Sequence, residues 1–202
     1  GRLQQHSWHL AQQLEDACAE ARFDDASLPR LRSTWRDTLA TWRALEVMQL
    51  GPTLKRRSSK AIDFWPTRPR SIHQAMSFTH ELPLSGPAAR EGMAIWGAAA
   101  KGLPALEWLL FSDSIEPAPI ALDPQHCRYS TRIAFLVADE AQELLTGWRV
   151  EAARWHAEPP PDTQDARHLV LNLLAGDVEL LRVKRLLKAA FVHASHQNIT
   201  RD

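Results

Sequence analysis

The chain has 202 residues, with 24 Lys+Arg against 24 Asp+Glu, so its formal net charge is zero. With 45% hydrophobic and 24% charged residues, its composition is that of a globular protein and excludes disordered and collagen-like classes. A chain this long buries a core without metal or disulfide staples, and balanced charge gives no electrostatic footprint for nucleic acid, so no nucleic-acid partner is expected.

Helical periodicity dominates from the first residues. Leu3, Leu10, Leu14, Cys18 and Ala21 share one face, which predicts an amphipathic helix over 3–22. Ser27 has the chemistry of an N-cap, and Pro29 falls in the first turn, where its missing N–H costs nothing. Leu28, Leu31, Trp35, Leu39, Trp42 and Leu45 recur at spacings of three and four, predicting a helix over 28–50 that ends at Gly51-Pro52. Trp35 and Trp42 should lie on one buried face.

Residues 52–70 break the pattern, because Pro52, Pro66 and Pro69 forbid a continuous helix. Ile62, Phe64 and Trp65 are nevertheless large and apolar, so this segment reads as a packed loop. Helices are predicted over 71–79, 88–100 and 104–112, the last opened by Pro104. A long helix over 125–157 carries Ile133, Val137, Ala141, Leu144, Trp148, Ala152 and Trp155 on one face, with Trp148 expected in the core. A last helix is predicted over 163–190, and its apolar positions are dense enough that it must be covered on most sides. No β-alternation of useful length occurs, so the fold class is all-α, a bundle of six to seven helices.

The most apolar stretch, 92–111, carries Lys101, Pro104 and Glu107 near its centre, and such charges oppose membrane insertion by roughly 2.5–3.5 kcal/mol each. It reads as two buried helical pieces, and no transmembrane helix is expected. The chain begins at Gly1 without an initiator Met or signal peptide, so a targeting segment, and any membrane anchor it carried, is expected to have been removed. Cys18 and Cys127 form either one bridge in an oxidising compartment or two buried thiols.

Complete catalytic signatures are missing from the sequence: it has no Gly-x-Ser-x-Gly, no Walker or Rossmann glycine pattern and no His-Glu-x-x-His. The pairs His6/His9 and His193/His196 are spaced for one helix face but lie near the ends of the chain, and His73, His80 and His126 read as scattered surface residues. Two features remain. Glu107 sits between Leu106 and Trp108 in an apolar helix, where a buried carboxylate needs a partner; it either serves a site or meets the free N–H groups of its own helix N-terminus. Asp63 and Arg68 bracket the Trp65-Pro66 step, either as charged groups of a pocket wall or as an internal pair that shapes the loop.

The order of landmarks resembles a known family. Trp35, Trp42-Arg43, Gly51-Pro52 and Trp65-Pro66 are followed by the run from Lys101 to Phe111, KGLPALEWLLF, then by Cys127-Arg128-Tyr129 and a long helix with Trp148. This resembles the imelysin-like family of bacterial envelope proteins, whose hallmark is Gly-x-His-x-x-Glu followed by an aromatic and a leucine pair. Gly102 and Glu107 match the glycine and glutamate, and Pro104 stands where the histidine would be. The resemblance covers roughly residues 3–190.

The resemblance implies an all-helical architecture in two duplicated bundle halves, a periplasmic or lipid-anchored location in the outer envelope, and association with iron uptake. On that basis 1–202 is one helical domain, with 1–157 like the first half and 158–202 the start of an incomplete second half. The expected function is a non-catalytic accessory, binding a ligand or an iron-uptake partner of the cell envelope, with iron as the cofactor the resemblance suggests. The alternatives are an imelysin-type metallopeptidase and a helical scaffold without a small-molecule site. Proline cannot bind metal, so the peptidase role should not transfer. The ligand-site candidates are Glu107, Asp63, Trp65, Arg68 and Gly102. Glu107 should point inward from the first turn opened by Pro104, near the 62–69 loop, with Arg68 as its donor.

Overall fold

The computed structural model describes residues 1–19, 26–111 and 124–157, together with Leu171. Every regular element among them is helical: α1 (Arg2–Ala19), α2 (Ser27–Glu46), α3 (Gly51–Lys55), α4 (Ser58–Ile62), α5 (Pro69–Thr79), α6 (Gly86–Ala94), α7 (Gly102–Phe111) and α8 (Pro124–Ala157), with a 3-10 turn at Ala98–Ala100 before α7. The all-α class read from periodicity is therefore the class of the fold. Apart from Leu171, the helix predicted over 163–190 and the segment 158–202 assigned to a second half lie outside the described residues, as do residues 112–123 and residues 20–25, where the helix predicted over 3–22 was to end.

The long helix α8 organises the rest: α1 packs along it most extensively, α7, α3 and α4 pack against it as well, and α2 packs against α1 and α7. The contact surface of α1 is Leu3, Ser7, Leu10, Ala11 and Leu14, an apolar stripe broken by one serine whose hydroxyl donates to Gln4 O at 3.2 Å. Trp42 and Trp35 are buried on α2, with Trp42 wholly enclosed. The indole N–H of Trp35 donates to Leu103 O at 3.0 Å, which ties α2 to α7. Tyr129 on α8 is also enclosed, and its hydroxyl donates to Ala100 O at 2.7 Å. Cys18 and Cys127 are disulfide-bonded with Cα atoms 5.6 Å apart, joining the end of α1 to the first turn of α8.

Several predicted boundaries shift, each for a local reason. Helix α2 ends at Glu46, not at residue 50, and Ala26 rather than Ser27 is its N-cap residue. Gly51-Pro52 does not close α2; it opens α3, with Gly51 at φ +49° and Pro52 in the first turn. The segment 52–70 is not a loop throughout, since α3 and α4 form between its prolines. Proline breaks a helix interior but suits a first turn, and the same rule places Pro69 at the start of α5 and Pro87 at the start of α6. The helix predicted over 88–100 stops at Ala94, and the 3-10 turn takes up Ala98–Ala100. Trp148 is half-buried rather than in the core: its ring lies against Gly51 and its N–H donates to Thr53 Oγ1 at 3.1 Å. Beyond Leu144 the apolar stripe of α8 emerges, and Trp155 is 41% exposed.

Two measurements check this packing. Trp42→Ala is expected to cost about 3–5 kcal/mol of unfolding free energy, since a large ring leaves a closed site. Reducing the Cys18–Cys127 bridge, which spans a sequence separation of 109, is expected to cost about 2–5 kcal/mol, read from denaturant titrations with and without reductant.

Candidate functional site

The motif helix α7 begins at a backbone contact. Gly102 has φ +76°, and a Cβ built on it would lie 2.6 Å from Ile62 O and 3.0 Å from Ala61 O. Both the dihedral and the space demand glycine. The start of α7 is thereby pressed on the last carbonyls of α4. Pro104 is the third residue of α7, so the helix opens two residues before it, and the missing proline N–H falls among donors that a first turn leaves unused. The Thr67 hydroxyl donates to Pro104 O at 3.3 Å, which brings the 62–69 segment alongside the motif.

The charged groups distribute differently from the sequence expectation. Asp63 is buried, and its cation is Arg43 of α2, with Nη2 to Oδ2 at 3.0 Å. Arg43 Nη1 also lies 3.4 Å from Oε2 of buried Glu46. One arginine therefore serves two buried carboxylates, and the Asp63–Arg68 pair is not formed. Arg68 is instead the N-cap residue of α5, with an exposed side chain, and its carbonyl accepts from Ser71 N at 2.9 Å. It is not the donor that Glu107 was expected to have.

Glu107 is half-buried rather than fully inward, as is its neighbour Trp108. The Trp108 ring meets His73 of α5 edge-on at 5.0 Å, and His73 lies 6.1 Å from the His126 ring at the start of α8. Two of the three histidines that read as scattered, His73 and His126, are thus neighbours. Trp65 is half-buried beside Pro66, with a cis peptide bond between them. Among the five candidates, Gly102 rests on the carbonyls that end α4, Asp63 is the residue that follows that helix, and Trp65 lies two residues further along the chain. Arg68 is turned to solvent.

Metal binding would need donors that this arrangement lacks. Pro104 offers none, and among the described residues no group of three or more His, Cys, Asp or Glu is placed to hold an ion. The residues at the motif do not fit a tightly held iron or zinc.

Sequence reasoning missed Arg43 and Glu46, although their i, i+3 spacing beside Trp42 was a readable signal. It also missed an apolar cavity of about 580 Å³ between α1, α2, α3 and α8, walled by Leu3, Ala44, Leu45, Met48, Leu144 and Trp148. No sequence signal could have located it, because its walls come from four separate elements.

The family model described as Imelysin, peptidase M75, matches residues 2–201. The chain belongs to the imelysin family. A solved structure of an imelysin-like protein from Psychrobacter arcticum 273-4 is similar in fold, with a TM-score of 0.62 at 19% identity, covering 76% of this chain and 46% of that one. The chain thus spans just under half the length of that relative. No curated protein matches the chain.

Gly102→Ala is expected to cost at least ~2 kcal/mol, through the positive φ and the collision with Ile62 O. A denaturant titration read by tryptophan fluorescence measures this. A loss within a few tenths of a kcal/mol would mean that α7 does not rest on α4 as described.

Proposed function

We propose that the chain is part of a non-catalytic imelysin-like envelope protein, an accessory that binds a ligand or partner in bacterial iron uptake. The observation that carries this reading is Pro104. The motif glycine and glutamate are present as Gly102 and Glu107, and the glycine is held by a backbone contact that admits no side chain. At the position between them stands a buried residue without a donor atom. A site built this way supports recognition through Glu107 and Trp108 rather than metal-assisted hydrolysis.

The Cys18–Cys127 bridge supports an oxidising compartment, and the periplasm or the outer envelope is the location we propose. Among the described residues no helix is long and apolar enough to cross a membrane. Attachment to the envelope would therefore need a segment other than the described helices, or a partner.

Titration with Zn²⁺ and Fe²⁺ under anaerobic conditions, followed by Trp108 fluorescence, tests the reading. Weak, nonspecific quenching is expected, unchanged in Glu107→Gln. Submicromolar binding that Glu107→Gln abolishes would overturn it and restore the metallopeptidase alternative.

A further inference from the structure

A second concavity, of about 230 Å³, lies where α6, the residue preceding α7 and the middle of α8 meet. Its walls carry three cations, Arg56, Arg90 and Lys101, and three carboxylates, Asp139, Glu140 and Glu143, over an apolar floor that includes Met93 and Leu136. The pairing among these six groups is uneven. Arg56 grips Glu140 with two bonds, Nε to Oε1 at 3.0 Å and Nη2 to Oε2 at 2.8 Å, and Ser58 Oγ adds a third at 2.7 Å. Arg90 Nη2 lies 3.1 Å from Asp139 Oδ2.

Two charges are left poorly spent. Lys101 Nζ donates to a backbone carbonyl, Met93 O at 2.9 Å, and among the described residues no carboxylate lies within ion-pair distance of it. An ammonium has three donors, so two remain for another partner. Burial without a counter-ion pushes the Lys101 amine below the usual lysine range. Glu143 is the opposite case. Its only ion-pair contact among the described residues is 3.6 Å from Arg56, which is already committed to Glu140, and its side chain is 49% exposed.

The cleft is neutral as a whole, so a ligand of one sign gains little from it. A molecule carrying both signs meets both unspent groups. We propose that this cleft binds a small zwitterion of the amino-acid or dipeptide class, its carboxylate on Lys101, its ammonium on Glu143 and its side chains on Met93 and Leu136. The proposal goes beyond the function proposed above and uses neither Glu107 nor Pro104. It explains why a lysine without a carboxylate partner is kept half-buried at the mouth of α7: the ligand carboxylate supplies the missing counter-ion.

The test uses the whole chain and three probes at pH 7: L-alanyl-L-alanine, its N-acetylated form and its C-terminal amide, each titrated calorimetrically. The free dipeptide is expected to bind, and each blocked form to bind about 10-fold or more weakly, the scale of one charge-assisted contact. In Lys101→Met the free dipeptide and its amide should bind alike. In Glu143→Gln the free dipeptide and its acetylated form should bind alike. Saturating dipeptide should also slow acetylation of Lys101 by an N-hydroxysuccinimide ester about 10-fold relative to exposed Lys55 in the same sample, which corrects for ester consumed by the dipeptide's own amine, read by peptide mass on the unmutated chain. No dipeptide binding up to about 10 mM (a weak-affinity limit of a few kcal/mol), equal binding of all three probes, or an unprotected Lys101 at saturation would each overturn the proposal.

Discussion

The constraint on which the rest of the site depends is the contact between Gly102 and the end of α4. A backbone cannot approach two carbonyl oxygens so closely if a Cβ is in the way, and here the oxygens of Ile62 and Ala61 lie where a Cβ would sit. Because α7 starts on that contact, its first turn is fixed in height and direction. The carbonyl of Leu103 then meets the Trp35 indole, and that of Pro104 meets the Thr67 hydroxyl. The residue before the contact, Lys101, is turned towards Met93 O at the edge of the charged cleft. One glycine thus orients the motif helix, the 62–69 segment and the cleft together.

The charges follow a second rule. Burying a carboxylate is costly unless a cation or several donors meet it. Glu46 and Asp63, from different elements, converge on Arg43, which keeps α2 in register with the end of α4. On the other side of α4, Arg56 and Ser58 bind Glu140 and fasten α3 and α4 to α8. These two clusters hold the short helices in place, since helices of five residues do not persist on their own. Arg132, also enclosed, donates to the carbonyls of Leu82 and Pro83 and secures the turn before α6 in the same way.

Membership in the imelysin family and the chemistry of this chain are separate matters. The family model covers nearly the whole sequence, and the fold is shared with a solved imelysin-like protein more than twice as long as the matched part. Function depends on particular side chains. Pro104 leaves the helix intact, because proline is tolerated in a first turn, and its side chain carries no donor atom.

The sequence by itself determined the class of fold, the long helices and the family. Spacings of three and four fix which faces of α1, α2 and α8 are apolar, and those faces must be covered whatever the tertiary arrangement. The buried ring of Trp42 was legible for the same reason, whereas the landmarks around Gly102 and Glu107 were legible through the resemblance to a family. The pairing of charges was not. Asp63 and Arg68 are five residues apart, but the chain between them turns at Trp65-Pro66, and Arg43, twenty residues earlier, arrives instead. Glu107 was read as inward because its neighbours are apolar, whereas helix rotation leaves it at the boundary with Trp108. The short helices α3 and α4 have too few residues to show a period. Which cation meets which carboxylate, and where two unspent charges share a cleft, depends on distances between elements, and only tertiary packing sets those.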